Sequence, residues 1–155
     1  MKRLAMALAL SVSFSGIALS KDLAVCGASQ GYAYYPMAGR LAESKDGGKW
    51  HPDGISQGKL TLIRKGVASG AYEIRYEDAS GKITSSSADG GIVLSVGRSG
   101  DALAFVVNYP GATVETYMFV NSTNGPEVVW SQNKYGSPIL KVAAFRAPCS
   151  FMDLN

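Results

Sequence analysis

A chain of 155 residues with 46% hydrophobic and only 17% charged side chains is long enough to bury a core and too apolar to remain disordered. Setting aside the first twenty residues removes Lys2 and Arg3 and leaves thirteen basic against twelve acidic residues. That near-balance, scattered without runs of like sign, excludes the electrostatic footprint of a nucleic-acid or anionic-lipid partner.

Lys2 and Arg3 open the chain, and an apolar stretch follows from Leu4 to about Leu19 without an acidic residue. Ala18 and Ser20 are small residues at the −3 and −1 positions of a cut after Ser20. This is the three-part pattern of a secretory signal. Residues 1–20 are therefore expected to be a signal peptide, and residues 21–155 one antiparallel β domain that is periplasmic or secreted. The apolar stretch is interrupted by serines and a glycine and falls short of the ~20 apolar residues of a bilayer span. No stable membrane insertion is expected after cleavage.

Leu23-Ala24-Val25-Cys26 looks like a bacterial lipoprotein box. However, Val25 is β-branched where a small residue is needed, and Lys21 and Asp22 separate it from the apolar run. The two cysteines, Cys26 and Cys149, lie near the two ends of the exported part. An even count in an oxidising compartment predicts a disulfide. Closing so long a loop is worth about 4–5 kcal/mol in the chain-entropy account. A redox pair would sit in Cys-X-X-Cys, and zinc needs more ligands than two cysteines and one histidine supply. No metal or other cofactor is expected.

Residues 31–35 read as a strand with Tyr32 and Tyr34 on one face and Tyr35 on the other. Two of the three are expected to pack inward and one to cover an edge. Residues 44–58 form the longest irregular stretch, fifteen residues containing Trp50, His51 and Asp53. Loops of that length are functional or mobile, and a β scaffold presents its chemistry on loops. Trp50, His51 and Asp53, with Tyr32, Tyr34 and Tyr35, are thus the candidate binding residues, since aromatics with polar tips suit sugar, peptide or protein contacts. A catalytic His51 would need a partnered nucleophile, and neither a Gly-X-Ser-X-Gly elbow nor a reactive cysteine is present. No catalytic residue is assigned.

Residues 59–65 are a second strand. Ser69-Gly70-Ala71-Tyr72 resembles the Ser-Gly-X-X-Tyr signature of small periplasmic lysozyme inhibitors, with one residue fewer before the tyrosine. That change of spacing leaves nothing to carry across. Residues 72–77 alternate strictly, which places Tyr72, Ile74 and Tyr76 inward and Glu73, Arg75 and Glu77 in solvent. The exposed carboxylates read as surface charges rather than as a glycosidase pair, which needs one acid in a cleft. Asp78-Ala79-Ser80-Gly81 turns the chain into a polar return strand, 82–87, at or near an edge. Ala88-Asp89-Gly90-Gly91 is a hairpin signal leading to 92–96. Residues 102–108, apolar on both faces, are the best candidate for a central strand. Strands at 113–121, 127–132 and 139–146 follow, the last delivering Cys149. The glycine pairs 47–48 and 90–91 lack the phosphate-loop pattern and are turn residues.

About nine strands joined by short turns, with no helical period beyond the signal, predict a nearly all-β antiparallel meander. An up-and-down β-barrel of lipocalin-like type is favoured over a two-sheet sandwich, because little chain is left for long crossovers. The runs are mostly shorter than the ~9–11 residues of a bilayer-crossing strand. The expected function is that of an exported, non-enzymatic binding domain. It would engage a protein partner (in an inhibitor or immunity-like role) or a small apolar ligand. A structural or accessory envelope protein is the alternative and an enzyme the third choice. An internal cavity would favour a ligand, and a flat aromatic patch around Trp50 a protein partner.

Overall fold

The structure, a computed structural model, describes residues 20–66 and 71–155. The signal segment through residue 19, and Ser69 and Gly70 of the tetrapeptide above, lie outside the described residues. Eleven strands are found among the described residues, together with one 3-10 turn at Gly39–Leu41.

The second half is a meander of β7 (Ile92–Ser99), β8 (Ala102–Tyr109), β9 (Thr113–Ser122), β10 (Gly125–Lys134) and β11 (Lys141–Met152). Each turn between them is short. In the β8–β9 turn Gly111 sits at φ 73°, a left-handed conformation that favours glycine. The first half supplies β1 (Lys21–Cys26), β2 (Gln30–Tyr34), β3 (Trp50–Asp53), β4 (Lys59–Lys65), β5 (Ala71–Glu77) and β6 (Ile83–Ser85). The main path runs β6-β5-β4-β1-β11-β10-β9-β8-β7, every pair antiparallel. β11 is twelve residues long and divides its free edge: Val142–Arg146 pair with β2, and the end from Cys149 to Met152 pairs with β1. β3 then adds to the outside of β2.

Period-two alternation places one set of side chains on the concave face in continuous rows across the ladder. Leu103, Phe119, Val128 and Ala147 form one row, Phe105, Tyr117, Trp130 and Phe145 the next, and Val107, Glu115, Gln132 and Ala143 a third. Tyr117 stacks on Trp130 with ring centroids 6.0 Å apart, and Trp130 on Phe145 at 5.1 Å. Each such side chain contributes about 1.5–3 kcal/mol by leaving water. A one-residue slip would turn a whole row outward, so the register is strongly fixed. Gly31 is required where β2 crosses this row. A Cβ there would lie 2.1 Å from the Ala144 carbonyl oxygen and 2.8 Å from the Phe145 ring.

The sheet curls into a half-barrel. Tyr72 of β5 meets Phe105 of β8 edge-on at 4.9 Å. The Tyr76 hydroxyl bonds to Ser86 Oγ at 2.7 Å and to the Tyr109 hydroxyl of the opposite wall. Among the described residues no ladder joins β5 or β6 to β7, so the walls meet through side chains. Cys26 and Cys149 are bonded across directly opposed positions of β1 and β11, as expected from their even count.

Several expectations are corrected. The stretch 44–58 is not wholly irregular: Trp50–Asp53 is a strand, short and at a sheet edge, the kind of position where a proline is tolerated. β1 was not expected, and a register shift between Asp22 and Ala24 brings Leu23 and Ala24 both into the core and hides the alternation. The path is not a simple meander, since β1 is inserted between β4 and β11. The polar return strand does lie at the sheet edge, but shortened to Ile83–Ser85. Glu73 is not a surface charge. It is only 4% exposed, because the turn after β6 folds over it: the Ser87 N–H donates to Oε1 at 3.1 Å, Ser87 Oγ donates to Oε2, and Lys65 Nζ donates to Oε2 at 2.5 Å. Tyr32 and Tyr34 do share a face, but it is the outer one, with Tyr32 59% exposed, while Tyr35 packs against the core.

Candidate functional site

The concave face ends in an open mouth, a cavity of about 270 Å³. Trp130 and Phe145 line one wall and Tyr76 and Leu60 the other, with Tyr117, Glu115 and Gln132 between them and Lys59, Glu77, Asp78, Asp53 and Lys141 among its other lining residues. The rows explain the composition. One step along β9 from Tyr117, and one along β10 from Trp130, the concave face carries Glu115 and Gln132, which are directly opposed in the ladder. The aromatic row thus gives way to a polar row at the cavity.

Glu115 is 7% exposed. Its Oε2 accepts from the Tyr117 hydroxyl and its Oε1 from Gln132 Nε2, both at 2.7 Å. Both donors are neutral, and none of the ion pairs among the described residues includes this carboxylate. Burial, and then the charge of Glu115, push the Tyr117 hydroxyl well above its ordinary range. The same causes raise Tyr76, and burial raises Tyr109. All three hydroxyls are protonated at neutral pH.

Asp53 enters from β3. Its Oδ1 accepts from the Gly54 N–H at 2.8 Å. Its Oδ2 is buried and takes no directed hydrogen bond, although Lys141 Nζ lies 2.7 Å away as a charge partner. Lys141 Nζ also lies 5.3 Å from the centre of the Phe145 ring, within cation–π range. At the rim Lys59 pairs with Glu77 at 3.1 Å. Both lysines of the lining are therefore held by carboxylates, and the cavity's unneutralised charge is negative. Chemically the mouth offers aromatic surface and carboxylate acceptors.

Of the residues singled out from sequence, Asp53 alone lines this cavity. β3 projects His51 to the same face as Asp53, but the ring is occupied: Nε2 donates to the Asp46 carbonyl at 3.0 Å, and the ring centre lies 6.1 Å from that of Tyr35. Trp50, Tyr34 and Tyr32 lie on the outer face, where Trp50 is 58% exposed and its ring centre is 5.5 Å from that of Tyr34. They border an outer surface that also exposes Val142, Val129, Met118, Val96 and Leu94. Sequence reading missed Glu115, Tyr117, Gln132, Trp130 and Phe145 as a site. The available signal was Glu115 sharing the alternation face of Tyr117 and Phe119, a carboxylate where the period demands an apolar residue.

Among the described residues no helix is long and apolar enough to cross a membrane, and no group of three or more His, Cys, Asp and Glu side chains is placed to hold a metal ion. Compared with protein-family models, curated proteins and solved structures, the chain matches none.

Proposed function

We propose that the protein is an exported, non-enzymatic binding domain that takes a small ligand into the mouth of its half-barrel. The observation carrying this reading is the cavity itself. Its volume, about 270 Å³, falls near the lower end of the ~300–1,000 Å³ range of small-molecule sites, and its wall is aromatic with a few convergent polar groups. A ligand with an apolar body and one polar end fits better than a lipid chain. On this reading the half-barrel serves as an up-and-down barrel of lipocalin-like type, with the Tyr76–Tyr109 contact in place of a closing ladder. Export is supported by the basic and apolar start, by the disulfide, and by β1 beginning at Lys21, the residue after the predicted cut.

The second reading, a protein partner in an inhibitor, immunity-like or accessory envelope role, is favoured by the outer aromatic group Tyr32, Tyr34 and Trp50. One experiment separates the two. The chain's two tryptophans, Trp50 and Trp130, lie on opposite faces, so their indole N–H signals in a two-dimensional NMR spectrum report which face is occupied. Titrating a library of small aromatic and aliphatic compounds into the oxidised domain should shift the Trp130 signal and spare that of Trp50. A library that leaves Trp130 unmoved, or moves only Trp50, would overturn the ligand-in-the-mouth reading.

A further inference from the structure

We propose that the ligand of the mouth is a small organic cation, an ammonium group on an apolar or aromatic body; this rests on the cavity being a ligand site. Lys141 displays the chemistry in place, since its ammonium lies between a carboxylate, Asp53, and the Phe145 ring. The same pair of features recurs deeper in the mouth without an ammonium of the protein's own. There Glu115 lies beside Tyr117 and Trp130, bonded only to neutral donors. A carboxylate kept from water gains most from an ion that brings both charge and N–H donors, and aromatic faces add attraction for a cation.

Asp53 is already neutralised by Lys141 and Glu77 by Lys59, which leaves Glu115 and Asp78 as the lining carboxylates outside these ion pairs. An anionic ligand would meet these carboxylates as like charges. A neutral ligand would leave Glu115 as it is. The lysines of the lining do not reverse this preference, because each is already held by Asp53 or Glu77.

The test is isothermal titration calorimetry of the oxidised domain with benzylammonium and its neutral counterpart, benzyl alcohol. On the parent protein benzylammonium should bind at least about tenfold more tightly, the scale of one charge-assisted hydrogen bond over a neutral one. In Glu115→Gln that ratio should fall to about one, with the alcohol little affected. Equal or tighter binding of the alcohol by the parent protein overturns the cation proposal while leaving the ligand site standing. Binding of neither probe overturns both. The comparison on the parent protein needs no variant and so decides the matter even if Glu115→Gln does not fold.

Discussion

Glu73 on β5 and Glu115 on β9 are both strand glutamates, both more than nine-tenths buried, and they are held in opposite ways. Glu73 is closed off by the turn that follows β6. It receives an ammonium from Lys65 and two hydrogen bonds from Ser87. Burial alone would raise its carboxyl, but the bonds from Lys65 and Ser87 more than offset this and hold it below the ordinary value of 4.5. Glu115 has only the neutral donors Tyr117 and Gln132 and opens onto a cavity. A buried charge is tolerable when paired and bonded. By that criterion Glu73 is a finished structural element, whereas Glu115 is left without a cation where the concave face opens onto a cavity.

The largest effect that would sharpen this contrast is expected at Glu73. Replacing it by Gln removes the ion pair and turns charge-assisted bonds into neutral ones. The loss should be about 2 kcal/mol, toward the lower part of the range for bonds to charged groups because Lys65 is half exposed and partly screened. Urea unfolding measures it. The pH dependence has a definite sign. Because the folded carboxyl is more acidic than the unfolded one, its stabilisation is complete above the unfolded value near 4.5 and is lost as pH falls through the lower folded value. The gap between parent and variant should therefore narrow below pH 4.5. A gap that widens in acid contradicts this account.

Ser87→Ala is the smaller intervention at the same site. It removes the hydroxyl bond to Glu73 and keeps the backbone one, for about 1 kcal/mol. In Glu73→Gln the same Ser87 change should cost less, since the two side chains share a bond and their effects are not additive. Full additivity would mean that Ser87 does not hold Glu73 in place.

Much of the scaffold was readable from the sequence because alternation and turn residues are local signals. The strands from Ile92 onward and the edge position of the return strand follow from such signals, and the Cys26–Cys149 bond from the even cysteine count. What failed was non-local. Glu73 shows the correct alternation for an outer face, and nothing in residues 72–77 reveals that residues 85–90 will cover it. β3 was obscured by Pro52 and by its length of four residues. The site was hidden for a related reason: Glu115 and Gln132 become neighbours only through the β9–β10 register, and Tyr76 joins them only when the sheet curls. Trp50 and Tyr32, conspicuous as residue types, are turned outward by the pleat.

The smallest effect at neutral pH, and the sharpest contrast, is expected for Glu115→Gln. The variant loses two charge-assisted bonds but also removes an unneutralised buried charge, and these terms oppose each other. Stability at pH 7 should change by no more than about 1 kcal/mol, well short of the Glu73→Gln loss. The difference between parent and variant should appear instead in alkali. Burial first, and the Glu115 charge second, raise the hydroxyls of Tyr117 and Tyr76 above their ordinary value of 10.0. A group whose folded acidity is weakened contributes stability that is complete below its unfolded value and is lost as pH rises beyond it. Removing the Glu115 charge lowers the folded values while burial still holds them up. Just above pH 10 the two proteins should therefore lose stability at the same rate, since only the unfolded chain then gives up these tyrosine protons. The variant's loss should level off at a lower pH than the parent's, as measured by urea unfolding at a series of alkaline pH values. An alkaline loss that levels off at the same pH in the two proteins, or a loss at pH 7 as large as that of Glu73→Gln, would show that Glu115 is a structural element like Glu73 rather than a charge left for a ligand.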